Sequence, residues 1–347
     1  MPNPILFRFD ANSAIGFGHA TRCFALSQEL SSRGYHPHFA VSADTVSLLN
    51  TLGIQSEQVH IIDHRIASLE DAEATSQLAK GLSTQWIIID GYEFDAKYQA
   101  ALKKNQPIHR LVIDDGVIKS FDAEILLNQN LDADVNHSYM ISEHTKLLFG
   151  SRYTLFRSCF KGNKPIEIHD TATNITLMFG GSDPMNITLA VLEILLQSNT
   201  IEGRKIRVIL GAGYKHLKTI EDISVPDGSS LELVAYSTSI IELLTWSDVV
   251  ISAAGSTAWE LALLGIPMAL VTAADNQIPI ARALEKHGAA VNLGDIRTFS
   301  RQTVEAKLRH LFNDQPERLT LHRNCLNLFD CEGPSRVVNA LEEYGGL

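Results

Sequence analysis

The chain has 347 residues, 45% hydrophobic and 20% charged, with a formal net charge of -11. Such a composition builds a sizeable core in two or three domains and excludes a disordered polymer. The acidic balance repels nucleic-acid phosphates and anionic lipid, so neither nucleic acid nor a membrane is an expected partner.

The start, Met1-Pro2-Asn3-Pro4, passes into an apolar strand without a basic leader, an apolar core or a small-residue cleavage site. No secretory signal is visible, no apolar stretch reaches the length of a membrane helix, and a cytoplasmic location is expected. Residues 4–10 read as a strand ending at an acid, followed by the loop Ser13-Ala14-Ile15-Gly16-Phe17-Gly18. Residues 19–33 carry Ala20, Cys23, Phe24, Leu26 and Leu30 at helical spacing, closed by Gly34. Apolar runs recur at 38–41, 59–62, 86–90, 110–114 and 125–127, with helix-length stretches at 68–81 and 95–105. Nearly unbroken runs of this kind suit strands covered on both faces of a parallel sheet. Lys161-Gly162-Asn163-Lys164-Pro165 reads as a linker. The pattern then restarts, with strands at 174–179, 206–210, 231–234, 249–251 and 268–271, and helices near 186–198, 238–246, 256–264 and 276–287. The tail reads as helices over 303–312, 317–328 and 335–344. Cys23, Cys159, Cys325 and Cys331 match no usual zinc spacing and are read as buried free thiols.

The organisation is therefore two α/β domains, over 1–155 and 170–330, with a final helix in 331–347 that packs back on the first. A cleft is expected where the carboxyl ends of their strands gather.

Several loops carry the candidate chemistry. Gly16 and Gly18 follow a strand and precede a helix, so a ligand can approach the backbone closely. His19 stands at that helix start, where a neutral imidazole can take a proton from water; the alternative is a histidine that caps or packs its helix. A dinucleotide site ranks low, because the third glycine is absent and Ser42 and Ala43 stand where an acid would end the second strand. Gly181 and Ser182, in Gly180-Gly181-Ser182-Asp183, can admit a phosphate, or the loop is a plain turn with Asp183 as N-cap. Gly255, Ser256 and Thr257 open a helix suited to a diphosphate. Glu260, a turn further on, can accept both ribose hydroxyls or close a capping box with Thr257. Asn276-Gln277 can read a sugar or base edge, or serve as turn and cap chemistry. Tyr92, after Asp90, can position a sugar or pack a wall. Asp114 and Asp115 can orient His19, line the sugar site or cap the loop before Gly116. Asp132-Ala133-Asp134 has the form of a metal clamp but is read as loop polarity, so no metal and no cofactor is expected.

Taken together, Gly-Gly-Ser-Asp, Gly-Ser-Thr-x-x-Glu, Gly265-Ile266-Pro267 and Asn-Gln resemble the donor-binding half of GT-B glycosyltransferases of the lipid II N-acetylglucosaminyltransferase type. Phe7-Arg8-Phe9-Asp10, Ile15-Gly16-Phe17-Gly18-His19-x-x-Arg22, Asp90-x-Tyr92, Ile113-Asp114-Asp115, Leu127-Asn128-Gln129-Asn130 and Leu147-Leu148-Phe149-Gly150-x-x-Tyr153 resemble the UDP-sugar hydrolases of pseudaminic acid synthesis. The resemblance implies a GT-B-like fold of two Rossmann-like domains with parallel sheets facing across a cleft. It also implies hydrolysis of UDP-2,4-diacetamido-2,4,6-trideoxy-β-L-altrose to UDP and free sugar. The family's catalytic histidine maps onto His19, its sugar-site tyrosine onto Tyr92 and its UDP ligands onto Glu260 and Asn276. Gly91 departs from the family, where a larger residue is expected. Two other functions stay open: an inverting UDP-sugar transferase of the same fold, and a non-catalytic nucleotide-sugar sensor. The acidic first half lacks the apolar and basic patch that a lipid acceptor requires.

Overall fold

A computed structural model describes residues 3–12, 15–104, 107–116, 120–133, 139–211, 213–236 and 240–345. Ser13 and Ala14 of the first loop, Asp134, and the first two residues of the helix expected near 238–246 lie outside the described residues. The chain divides into two compact units, Met1–Lys161 with Cys331–Leu347, and Gly162–Asp330.

The first unit runs β1 (Asn3–Phe9), α1 (Gly18–Ser32), β2 (Tyr35–Val41), α2 (Ala43–Thr51), β3 (Val59–Ile61), α3 (Leu69–Leu82), β4 (Trp86–Asp90), α4 (Ala96–Lys104), β5 (His109–Ile113), β6 (Ile125–Asn128) and β7 (Lys146–Phe149). The second contains β8 (Asn174–Met178), α5 (Ile187–Gln197), β9 (Lys205–Leu210), α6 (Leu217–Glu221), β10 (Ser230–Ala235), α7 (Ile240–Thr245), β11 (Val249–Ala253), α8 (Ser256–Leu263), β12 (Met268–Thr272), α9 (Ile278–Lys286), β13 (Val291–Asp295), α10 (Arg301–Asn313) and α11 (Gln315–Leu328). The last helix, α12 (Gly333–Tyr344), belongs to the first unit.

Both sheets are parallel and share one order, β3-β2-β1-β4-β5-β6-β7 and β10-β9-β8-β11-β12-β13. The order reverses between β1 and β4 in one sheet and between β8 and β11 in the other, and such switch points are where doubly wound sheets bind ligands. The first sheet is covered on both faces. Ile5, Phe7 and Phe9 pack under α1 and α12 with Ala20, Leu26, Val337 and Leu341. Leu6, Ile87, Ile89 and Val112 pack under α3 and α4 with Ala72, Ala79, Tyr98 and Leu102. Period-2 alternation sends odd and even residues of β1 to opposite cores, so an unbroken apolar run is what this strand needs.

One residue of β1 breaks the run. Arg8 is fully buried, and its guanidinium donates to both oxygens of Asp71 (3.0 and 2.6 Å) and to Asp10 (2.7 Å). It lies 4.9 Å over the Phe94 ring. Asp71 also accepts from Tyr98 Oη and Thr75 Oγ1. An unpaired buried guanidinium would be prohibitive, and this set of acceptors fixes the loops beyond β1 and the start of α3 to one another.

The four cysteines are free, but only Cys23 and Cys325 are buried. Cys159 is exposed and Cys331 intermediate, which corrects the expectation of buried thiols throughout. No helix among the described residues is long and apolar enough to cross a membrane.

Candidate functional site

His19 is the second residue of α1, whose N-cap, Phe17, makes no side-chain cap bond. The approach loop is closed by Asn12: its carbonyl accepts from Gly16 N (2.8 Å) and its side chain from Ile15 N (2.9 Å). The imidazole is 5% exposed, and its Nδ1 lies 2.6 Å from Asp90 Oδ1. Asp90 ends β4, beside β1 across the switch point, with Phe9 opposite it in register. Topology therefore brings together two residues 71 positions apart. With Nδ1–H donating to the carboxylate, Nε2 keeps its lone pair for a proton.

Arg22, one turn along α1, completes the pairing. Its Nε donates to Asp90 Oδ2 (2.6 Å) and its Nη2 to Asp90 Oδ1 (2.6 Å), a two-pronged contact. Nη2 and His19 Nδ1 sit 3.2 Å apart because both converge on the same oxygen. Arg22 Nη1 donates to Asp115 Oδ1 (2.7 Å). Tyr92 Oη donates to Asp115 Oδ2 (3.0 Å), and the Tyr92 ring meets the His19 ring edge-on at 5.0 Å. His19, Asp90, Arg22, Asp115 and Tyr92 thus form a closed circuit. Burial alone would raise the Asp90 carboxyl, but Arg22 and His19 outweigh it and hold the group well below the usual carboxylate range. Burial likewise works against the Arg22 charge, and Asp115 and Asp90 overcome it, so the guanidinium stays protonated.

Two expectations change here. Asp90, not Asp114 or Asp115, orients His19. Asp114 accepts from Gly116 N (2.6 Å) and Tyr139 Oη (3.0 Å), so it caps its own loop. Asp115 acts on the histidine only through Arg22 and Tyr92. Gly91 has a positive φ of 153°, and a Cβ there would lie 2.8 Å from Phe94 Cε2. A glycine is therefore built into this Asp-x-Tyr turn by the Phe94 ring that Arg8 holds.

In the second unit, the loops after β8 and β11 flank the switch point. Gly180 is exposed, and Gly181 and Ser182 are half-buried. The N-cap of α5 is Asn186 and not Asp183, but the Asp183 carboxylate still takes the first amides of the helix, accepting from Ile187 N (2.8 Å) and Thr188 N (2.9 Å). The Gly181 carbonyl accepts from Gly213 N (2.9 Å), and a Cβ on Gly211 would fall 2.3 Å from that carbonyl oxygen. Gly211 and Gly213, which sequence pattern alone does not single out, thus pack against the Gly181 loop.

Helix α8 begins at Ser256 with Gly255 as N-cap, so Thr257 stands inside the helix and not at the N-cap position a capping box with Glu260 would need. Gly255 has open space where a Cβ would be, as do Gly16 and Gly18. A helix start with half-buried Ser256 and Thr257 and no cap is suited to an anion. Glu260 is buried, at 8% exposure. Asn276 is exposed, whereas the Gln277 side-chain carbonyl accepts from Ala273 N (2.8 Å) and pins its own loop. The described residues contain no group of three or more His, Cys, Asp or Glu arranged to hold a metal.

Residues 175–329 match the Glycosyltransferase family 28 C-terminal domain. The chain is 21% identical to the spore coat polysaccharide biosynthesis protein SpsG of Bacillus subtilis over 211 residues, 60% of this chain and 62% of that protein. That match spans less than two thirds of the relative's length. It is 23% identical over 288 residues to the UDP-2,4-diacetamido-2,4,6-trideoxy-beta-L-altropyranose hydrolase of Campylobacter jejuni, covering 83% of this chain and 98% of that one. The crystal structure of Acinetobacter baumannii MurG has the same fold, with a TM-score of 0.74 at 15% identity over 99% of this chain and 100% of that chain. The chain thus has the GT-B-like pair of Rossmann-like units, its second unit matches the Glycosyltransferase family 28 C-terminal domain, and along most of its length it is similar in sequence to a UDP-diacetamido-trideoxy-altropyranose hydrolase.

Proposed function

We propose that this protein hydrolyses a UDP-linked 2,4-diacetamido-2,4,6-trideoxy sugar to UDP and the free sugar, inverting the anomeric centre. The observation that carries the reading is the 2.6 Å His19–Asp90 contact at the carboxyl end of the first sheet. A carboxylate on Nδ1 leaves Nε2 as the proton acceptor. As a water oxygen bonds to the anomeric carbon, its proton passes to Nε2. The bond from that carbon to the diphosphate oxygen breaks, and the electron pair leaves with UDP. General-base assistance of this kind is worth about 10²–10⁴-fold. The uncapped start of α8 and the Gly181-Ser182 loop are assigned to the diphosphate, where fixed backbone amides meet the growing negative charge without reorganising. Glu260 and Asn276 are assigned to the nucleoside, and Tyr92, against the imidazole, to the sugar.

Similarity to the Campylobacter jejuni hydrolase over nearly its whole length supports hydrolysis. The Glycosyltransferase family 28 match favours a second reading, in which the same histidine deprotonates an acceptor hydroxyl. Incubation with the UDP-sugar in ¹⁸O-labelled water, with no acceptor present, separates them. Label in the released sugar is the expected result. Label in UDP would mean that the phosphorus–oxygen bond breaks, and an intact UDP-sugar until an acceptor is added would make the protein a transferase. His19→Ala is expected to keep UDP binding and lose at least about a hundredfold in turnover; wild-type turnover would remove the mechanism.

A further inference from the structure

The circuit around His19 holds more charge than a base and its orienting carboxylate require. Asp90 alone would fix the tautomer. Arg22 bridges Asp90 and Asp115, with 2.6 Å contacts to one carboxylate and 2.7 Å to the other. We propose that Arg22 and Asp115 are a counter-charged positioning pair whose balance sets how readily His19 takes a proton.

Arg22 Nη2 shares Asp90 Oδ1 with the ring and lies 3.2 Å from Nδ1, so its positive charge opposes an imidazolium directly. Asp115 neutralises part of that charge from the far side of the guanidinium. Two carboxylates and one guanidinium leave the cluster with one net negative charge while the ring is neutral, and with none once the ring holds a proton. The proton that the ring accepts therefore cancels the cluster's charge. The groups around the cluster have partners of their own or are neutral. From α1 the Cys23 thiol donates weakly to Asp90 Oδ2 (3.5 Å), and burial pushes that thiol up, so it stays neutral. After β1, Asp10 is taken by Arg8. After β4 comes the Tyr92 ring, and after β6 the neutral amide of Asn130, which donates to Asp115. Asp114, beside Asp115 after β5, is taken by the loop cap and Tyr139.

The two members act with opposite sign, and this separates charge-setting from mere support. Removing the guanidinium leaves both carboxylates facing the ring. Arg22→Gln is expected to move the His19 titration midpoint, followed by ¹H–¹⁵N NMR on the ligand-free protein, upward by about one pH unit or more. Asp115→Asn leaves the guanidinium less compensated and moves the midpoint downward. Arg22→Lys keeps the charge without the two-pronged geometry, and the midpoint returns toward that of the unmodified protein. Midpoints that move in the same direction, or stay fixed, overturn the proposal. Arg22 is buried, so a Gln variant that does not fold leaves the decision to Asp115, whose side chain is 19% exposed. A midpoint that rises or stays put in Asp115→Asn is then sufficient to refute.

The same displacements are expected in the acid limb of the turnover profile, and only this arm rests on the hydrolase reading. If that reading fails there is no turnover to profile, yet the NMR midpoints still decide the proposal.

Discussion

Asp90→Asn is the substitution with the most to say about this site. The carboxylate serves three donors: His19 Nδ1 and Arg22 Nη2 on Oδ1, and Arg22 Nε on Oδ2, each at 2.6 Å. An amide offers one acceptor and one donor end. Turned one way, its NH₂ meets Arg22 Nε; turned the other, it meets Arg22 Nη2 and forces the ring to carry its proton on Nε2. The second arrangement removes the lone pair that the reaction needs, and loss of tautomer control in a histidine–aspartate pair costs on the order of 10⁴-fold. Breaking a buried ion pair costs about 3–5 kcal/mol; because Arg22 keeps Asp115, the lower end, about 3 kcal/mol, is the expected loss. Urea denaturation reads the stability and UDP release reads the rate. A variant that folds and turns over like the unmodified protein would show that Asp90 does not govern the ring, and the dyad argument would fail. The pH dependence has a definite sign. A carboxyl held low by folding adds stability that is complete above the unfolded value of about 3.9 and is lost as the pH falls through the folded one. Stability of the unmodified protein should therefore drop below about pH 4, and Asp90→Asn should flatten that slope.

Gly91→Ala forces a Cβ against Phe94 at a backbone angle that suits glycine, and should cost about 2–4 kcal/mol in urea denaturation. An unchanged midpoint would mean that the ring simply yields. Gly211→Ala drives a methyl into the Gly181 backbone, so it should destabilise by about 1–3 kcal/mol and weaken UDP binding by calorimetry. Normal UDP affinity would detach that turn from the nucleotide loop. Glu260→Ala should lower UDP affinity while the protein stays folded; unaltered affinity would leave the residue with a structural role alone.

The parallel strands were readable because burial on both faces demands apolar runs, and β1, β4, β5 and β12 carry them almost without interruption. Four elements were not, among them the five-residue helix Leu217–Glu221, which buries only Ile220. Lys146–Phe149 is a four-residue edge strand with an exposed Leu147, too short to show a period. Val291–Asp295 contains Asn292 and Gly294 and pairs through a register shift against β12. Ala43–Thr51 is a short helix that buries only Thr45 and Leu49, so its apolar stripe is faint. His19 was legible as a helix-start residue after glycines, but its partner was not. Asp10, Asp90 and Asp114 all stand at strand ends, and local pattern does not rank them. Strand order does: β4 lies next to β1 and β5 does not, so an assumed doubly wound order singles out Asp90. The role of Arg22 had no sequence signal beyond its three-residue spacing from His19. Gly211 and Gly213 carry no local signal because they serve a neighbouring loop about 30 residues away in sequence, a contact that the pairing of β8 with β9 brings about.

The first unit recruits its last helix from beyond the second. Val337, Val338 and Leu341 fill the core beside Ile5 and Phe7, and Trp86 Nε1 donates to the Gly345 carbonyl at 3.0 Å. During synthesis the ribosome releases β1 to β7 long before α12 exists, so the N-terminal half waits with one face of its sheet covered by α1 but not by α12 while residues 162–330 emerge. The usual order of domain maturation is thereby altered: the unit made second can finish first, and the unit that carries His19 and Asp90 is completed only once residues 331–347 have followed it out of the exit tunnel.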